Sequence, residues 1–217
     1  MIDFAAAREA MVDCQVRPAD VTRYPIIEAL LNVPREEYVP REVRPVAYLG
    51  DHIPLSPGRV ILDPRVFAKL LDAINVGPKD LVLDVGCGLG YSSAVLGFMA
   101  EAVIALEEDG DLATQAEANL TEQSVDNAVQ ETGPLASGMP AHGPYDAIFI
   151  GGGIEVLPDA LAAQLKPGGR IVAIFMNGAN GQAKLGIATQ AGIAWRRIFD
   201  ATAPVLPGFH ATKAFEF

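Results

Sequence analysis

Apolar residues recur along the chain with two periods, and the places where one gives way to the other predict the elements. Asp3 stands where a helix N-cap belongs, ahead of a helix running to about Val12. In "RYPIIEALLNV", Ile26, Ile27, Leu30 and Leu31 recur at helical spacing, and Pro25 is compatible only with a first turn. The stretch "PREEYVPREVRPVAYLGDHIPLSPGR" is proline-rich and has no period. It predicts an extended connector lying over the domain, with room for a short hairpin, and connectors carry function more often than scaffold does. The helical period returns in "PRVFAKLLDAI", where Val66, Phe67, Leu70, Leu71 and Ile74 form one stripe and Asp63 is placed to cap.

From there strand and helix patterns alternate. "LVLDV", "AVIALE", "NAVQET", "YDAIFI" and "GRIVAIF" read as strands, and "YSSAVLGFM", "GDLATQAEANLTEQ" and "LPDALAAQL" read as the helices between them. That order predicts an α/β fold with a mostly parallel sheet, helices on both faces and right-handed crossovers. In the tail, "IAWRRIFDA" and "ATKAFEF" read as two more strands, and "TAPVLPGFH" between them is too short for a crossover helix. They are expected to form an antiparallel hairpin at one end of the sheet. Residues 1–63 are expected to be a helical and extended segment packing on the core, and residues 64–217 the ligand-binding domain, the whole forming one structural unit.

Composition narrows the function classes. Sixteen Lys and Arg against 27 Asp and Glu give a formal charge of -11, leaving no basic surplus for a nucleic-acid backbone. Two cysteines, Cys14 and Cys87, are too few for a disulfide framework or a structural zinc site. His52, His142 and His210 lack metal-ligand spacing, so no metal is expected. The N-terminal segment lacks the apolar core of a signal peptide and no window is apolar enough to span a bilayer. The expectation is a cytoplasmic, soluble protein with no nucleic-acid or membrane partner.

The chemistry concentrates in "LVLDVGCGLGYSSAVLGF". A strand end, a glycine turn and a helix start form a general nucleotide-binding device, because bare backbone approaches the ligand and the helix start offers free N–H groups. Counting from Gly86, the last glycine of the dinucleotide pattern G-x-G-x-x-G would fall on Tyr91, which argues against NAD or FAD. No G-K-[ST] follows, which excludes a Walker loop. What remains is Asp84 followed by Gly86, Gly88 and Gly90. An acid there would repel a pyrophosphate and would suit an ammonium group. The next strand ends at Glu107, whose carboxylate can accept from both hydroxyls of a ribose. A ligand with a ribose, an ammonium and no phosphate is S-adenosyl-L-methionine.

"VLDVGCGLGYSSAVL", "VIALEED", "GPYDAIFIGGGIEVLPDALAAQLKPGGRIV" and, upstream, "VPREEYVP" and "AYLGDHIPL" resemble, in that order, the protein-L-isoaspartate (D-aspartate) O-methyltransferases, over about residues 11–174. The glycine loop alone marks a class I methyltransferase, and the proline-rich upstream segment narrows it to this family. The resemblance implies a Rossmann-like sheet of seven strands with a reversed last hairpin. It implies transfer of the cofactor's methyl to the free carboxylate of an isoaspartyl or D-aspartyl residue in a protein or peptide, giving a labile ester that starts protein repair. It further implies that Asp84, Gly86, Gly88 and Gly90 hold the methionine part, that Glu107 holds the ribose, and that Gly133 and Leu135 flank the adenine.

Two departures qualify the resemblance. The family reads close to T-I-S-x-P before the helix at Pro64, with a hydroxyl that contacts the substrate carboxylate; here "VILDP" puts Leu62 in that place. The family's G-D-G, whose acid bonds the adenine amino group, reads "GPL" here, with Pro134 for the acid. No catalytic residue is therefore assigned. The acceptor side is expected from the connector, Leu55 to Leu62, and from "VLPGF" with Leu206. Tyr48 and Arg17 are further candidates from the upstream segment. Asp63 reads as a helix cap rather than an acid, and Cys87 as a small loop residue. The expected function is isoaspartyl carboxyl methylation by a monomer. The alternatives are methylation of a different acceptor in a more apolar site, or a non-catalytic cofactor-binding protein.

Overall fold

The computed structural model describes residues 2–211. Helix α1 (Phe4–Met11) is capped by Asp3, whose carboxylate accepts from the Ala6 N–H, and α2 (Tyr24–Asn32) carries Pro25 in its first turn. The proline-rich connector does contain a hairpin, β1 (Ile53–Ser56) and β2 (Arg59–Ile61), which pairs only with itself. Helix α3 (Pro64–Ile74) then leads into β3 (Leu81–Val85), α4 (Tyr91–Met99), β4 (Ala102–Glu107), α5 (Gly110–Glu122) and β5 (Ala128–Thr132). The chain continues through β6 (Tyr145–Ile154), the short α6 (Asp159–Ala162), β7 (Leu165–Asn177), β8 (Asn180–Thr189) and β9 (Gly192–Asp200).

Seven strands form one sheet in the order β5-β4-β3-β6-β7-β8-β9, parallel from β5 through β7 and antiparallel across β7–β8 and β8–β9. Successive strand residues alternate between two apolar clusters. Val82, Val103, Ala147, Phe149 and Val172 face one, while Leu83, Val85, Ile104, Ile148 and Ile171 face the other. Burial on both faces is why these strands read as unbroken apolar runs. The first cluster also takes in Met11, Val16, Leu30 and Tyr38, so the N-terminal segment completes the cover of that face.

The expected antiparallel hairpin closes the sheet, but it is formed by other segments than expected. The partner of "IAWRRIFDA", which is β9, is β8, running over "NGQAKLGIAT"; residues 212–217 of the expected last strand lie outside the described residues. Strand β8 has few β-branched residues and two glycines, so its propensity is weak. Its position between β7 and β9 supplies what propensity does not. A Cβ on Gly186 would meet Ile171 and Trp195 at 2.8 and 2.9 Å, so the glycine is what lets these neighbours close over it. Residues 201–211 form no hairpin but cross the end of the sheet, where Val205 bridges to Gly153.

Strand β3 has β4 on one side and β6 on the other. The order reverses there, opening a crevice at the C-terminal ends of the strands, where open α/β sheets bind ligands. The glycine loop follows β3 directly into that crevice.

Candidate active site

The loop after β3 is held by its own backbone. The N–H groups of Gly86 and Cys87 donate to the Leu106 carbonyl at 2.9 and 3.2 Å, and Gly90 donates to the Cys87 carbonyl at 2.9 Å. Gly88 has φ +59°, a conformation that glycine adopts without strain, and its N–H donates to Oε2 of Glu107 at 2.9 Å. Gly90 packs its α-carbon face against Leu120 and Ala116 of α5, so it serves helix packing rather than opening a face toward the crevice.

Asp84 is fully buried. Its Oδ2 accepts from the hydroxyls of Ser92 and Ser93, each at 2.6 Å, and its Oδ1 has no hydrogen-bond partner among the described residues. Burial pushes its carboxyl up to about 6; the two serine hydroxyls oppose that rise, nearby Glu107 adds to it and Arg59 opposes it. A buried acceptor oxygen without a donor is costly, and a ligand's ammonium group would complete it.

Glu107, also fully buried, ends β4 beside the loop. Its partner is a residue that pattern reading did not single out: Arg59, at the start of β2, donates Nη1 to Oε1 and Nη2 to Oε2, both at 2.6 Å. The backbone N–H groups of Glu108 and Asp109 add bonds to Oε1 at 2.9 and 3.1 Å.

The other sequence candidates converge on this crevice from three directions. Leu55 of β1 lies over Gly88, its Cδ1 2.6 Å from where a Cβ would stand. Leu206 covers Gly86 and Gly152 and is buried with Leu135 and Phe209. Leu135 donates its N–H to Glu108 Oε2 at 3.3 Å, and Gly133 donates to the Glu107 carbonyl at 3.0 Å, which places both beside the end of β4. Leu62 is buried and lines a narrow cleft, with about 20 Å³ of free space, together with Val60, Phe67, Gly86, Tyr91 and Phe149. That space holds roughly one water molecule, well short of a small-molecule site, so an acceptor enters only if the walls of the cleft part.

A second missed residue stands behind Leu62. The guanidinium of Arg35 is fully buried, donates to the carbonyls of Ala47 and Leu62 at 2.8 Å each, and lies 4.8 Å from the Tyr91 ring centre. Its Nη1 has no partner among the described residues. Burial lowers its pKa, and Tyr91 and Asp63 oppose that.

The remaining candidates have structural partners. Asp63 accepts the Val66 N–H at 2.9 Å and so caps α3. His52 accepts the Asp63 N–H on Nδ1 at 2.8 Å and turns Nε2 to the Thr202 carbonyl at 2.9 Å, tying the connector to the C-terminal segment. Tyr48 bonds Glu36 and Arg8, and Arg17 pairs with Asp13 on the surface, so both stand apart from the crevice. Burial pushes the Cys87 thiol well up, which leaves it unreactive.

The family model for protein-L-isoaspartate(D-aspartate) O-methyltransferase matches residues 6–191. The chain belongs to this family. It is 34% identical to the protein-L-isoaspartate O-methyltransferase of Koribacter versatilis, over 78% of this chain and 76% of that one. Two solved structures share the fold. One described as a protein-L-isoaspartate O-methyltransferase superposes with TM-score 0.81 at 21% identity, covering 93% of this chain and 66% of that one. The other, described as such an enzyme from Plasmodium falciparum in complex with S-adenosyl-L-homocysteine, has TM-score 0.78 at 22% identity and covers 95% of this chain and 99% of that one.

The acids and the loop line the crevice in which an S-adenosyl ligand would sit, with Asp84 open to an ammonium group and Glu107 already filled by Arg59 and three backbone N–H groups. Asp84 Oδ1 is the orphaned acceptor, and Glu107 is a carboxylate at the floor of the crevice. Arg59, Leu55 and Leu206 lie against the same surfaces. The sequence signal for Arg59 was faint: a lone arginine in an aperiodic stretch, 48 residues from its partner.

Proposed function

We propose that the chain is an S-adenosyl-L-methionine-dependent O-methyltransferase that esterifies the free carboxylate of isoaspartyl residues in proteins, starting their repair in the cytoplasm. The observation that carries this reading is the pair of buried acids, Asp84 and Glu107, at the ends of adjacent parallel strands beside the glycine loop, in a chain of this family. Asp84 and the loop at Gly86 and Gly88 hold the methionine part, Glu107 the ribose, and Gly133 and Leu135 flank the adenine. Pro134 removes one hydrogen bond to the adenine, a loss of about 1 kcal/mol that apolar contact with Leu135 offsets in part. When bound, the cofactor supplies a methyl group on a sulfonium.

The acceptor carboxylate is already ionised at neutral pH, so no side chain has to remove a proton. The chain's own contribution is orientation and exclusion of water. Val60, Leu62, Phe67 and Phe149 form the apolar wall of the cleft. Such a wall is unfavourable for an anion unless charge compensates it. Arg35, a buried cation just behind Leu62, supplies that compensation as positive potential.

The test is transfer of labelled methyl to a peptide with one isoaspartyl residue, with the aspartyl peptide as control. Base-labile label on the isoaspartyl peptide alone is expected. No label on it, with cofactor bound, would overturn the acceptor assignment.

A further inference from the structure

Glu107 receives five N–H donors: two from Arg59 and one each from Gly88, Glu108 and Asp109. A carboxylate offers about four lone-pair directions. While Arg59 is in place, Glu107 has no acceptor capacity left for the two hydroxyls of a ribose. The guanidinium also stands 3.2 Å from the Cβ position of Gly86, and Leu55 presses on Gly88. The tip of one hairpin thus covers both glycines and the acid.

That hairpin is joined to the main sheet by side-chain packing and not by strand pairing. Strands β1 and β2 pair with each other and with no strand of the main sheet. Two-stranded units are marginal on their own. The turn at Gly58 is open, with nothing within 4 Å of its Cβ position. The base is anchored through buried Ile53 and Ile61, whereas the tip is held through Arg59 and Leu55.

We infer that Arg59 is the affinity-determining residue of the S-adenosyl site: its guanidinium occupies the ribose acceptor Glu107, and a nucleoside ligand enters by displacing it as the tip of the hairpin, residues 55–59, lifts from the glycine loop. The inference rests on the methyltransferase reading above. Apparent affinity is then the intrinsic affinity multiplied by the fraction of chains in which the tip is lifted. Arg59 also leaves the crevice carrying its charge, so the displaced tip presents a cation at the entrance through which an anionic acceptor would approach.

The experiment is calorimetric titration of S-adenosyl-L-homocysteine into the full chain, as wild type, Arg59→Gln and Arg59→Ala, at neutral pH. At least tenfold tighter binding by both variants is expected, equivalent to a tip lifted in no more than about a tenth of wild-type molecules. Equal or weaker binding by the variants overturns the inference and leaves the methyltransferase reading standing. Binding by none of the three proteins at millimolar ligand overturns that reading, and the inference with it. Hydrogen exchange on the wild type gives a readout independent of variant folding. Saturating S-adenosyl-L-homocysteine is expected to speed amide exchange in residues 55–59; unchanged or slower exchange there overturns the inference.

Discussion

Ser93 donates its hydroxyl to Oδ2 of Asp84 at 2.6 Å, and both residues are fully buried. This bond favours the carboxylate, yet burial outweighs it and holds the Asp84 carboxyl at about 6 against an ordinary 3.8. Between those values the folded chain keeps a proton that the unfolded chain has lost. The contribution of Asp84 to stability is therefore present at low pH, declines as pH rises through that window, and is flat above it. Urea unfolding of wild type and Asp84→Asn should show the variant gaining relative stability between pH 4 and pH 7. Ser93→Ala should move the inflection upward. A pH-independent difference between wild type and Asp84→Asn would contradict the assignment.

In the proposed acceptor site, Leu62 takes the place of a hydroxyl that would hold the carboxylate. In Leu62→Ser, truncation of a buried leucine should cost about 2–4 kcal/mol of stability. The new hydroxyl adds a hydrogen bond to a charged group, about 1.5 kcal/mol, which is about tenfold in kcat/KM on an isoaspartyl peptide. Steady-state kinetics and urea unfolding read the two effects separately. Unchanged kcat/KM would mean that the acceptor does not reach this side chain.

Asp63 is a cap and has no chemical role in this account. Asp63→Ala should cost about 1 kcal/mol by loss of the bond from the Val66 N–H. Its kcat on an isoaspartyl peptide should stay within about twofold, a difference below about 0.5 kcal/mol in barrier. A large fall in kcat with an unchanged melting curve would show that the acid acts in the reaction.

Arg8 ties the first helix to the connector. Its Nη2 donates to Glu36 at 3.0 Å and its Nε to the Tyr48 hydroxyl at 2.9 Å, while Tyr48 donates in turn to Glu36. Arg8→Ala leaves the largely buried Glu36 carboxylate without its cation. The expected loss is about 3 kcal/mol in urea unfolding. A loss below about 0.5 kcal/mol would place this cluster among ordinary surface contacts.

Most of the fold was legible because its central strands, β3, β4, β6 and the middle of β7, are buried on both faces and its helices on one. "LVLDV" and "AVIALE" are apolar runs of strand length, and the stripe of α3 repeats at helical spacing. Strand β8 was not legible, since Gly181, Gly186, Lys184 and Gln182 carry little strand propensity and become a strand through their neighbours. In the crevice, Asp84 and Glu107 were legible from their places after apolar runs, where a strand must end. Arg59 and Arg35 were not. Each lies in the aperiodic connector, and the partners that give them meaning, Glu107 and the Leu62 carbonyl, are 48 and 27 residues away. Periodicity reports which face a residue lies on, and it says nothing of which distant group that residue meets.

The most direct test of isoaspartyl methylation is conversion of the peptide itself. A methyl ester on an isoaspartyl side is attacked by the following backbone nitrogen with loss of methanol, and hydrolysis of the ring returns part of the material as the normal aspartyl form. Chromatography of an isoaspartyl peptide incubated with the chain and S-adenosyl-L-methionine should show the isoaspartyl peak falling and the aspartyl peak rising over repeated turnovers. Both peaks should stay constant without the cofactor. An unchanged isoaspartyl peak in the presence of bound cofactor would contradict the account.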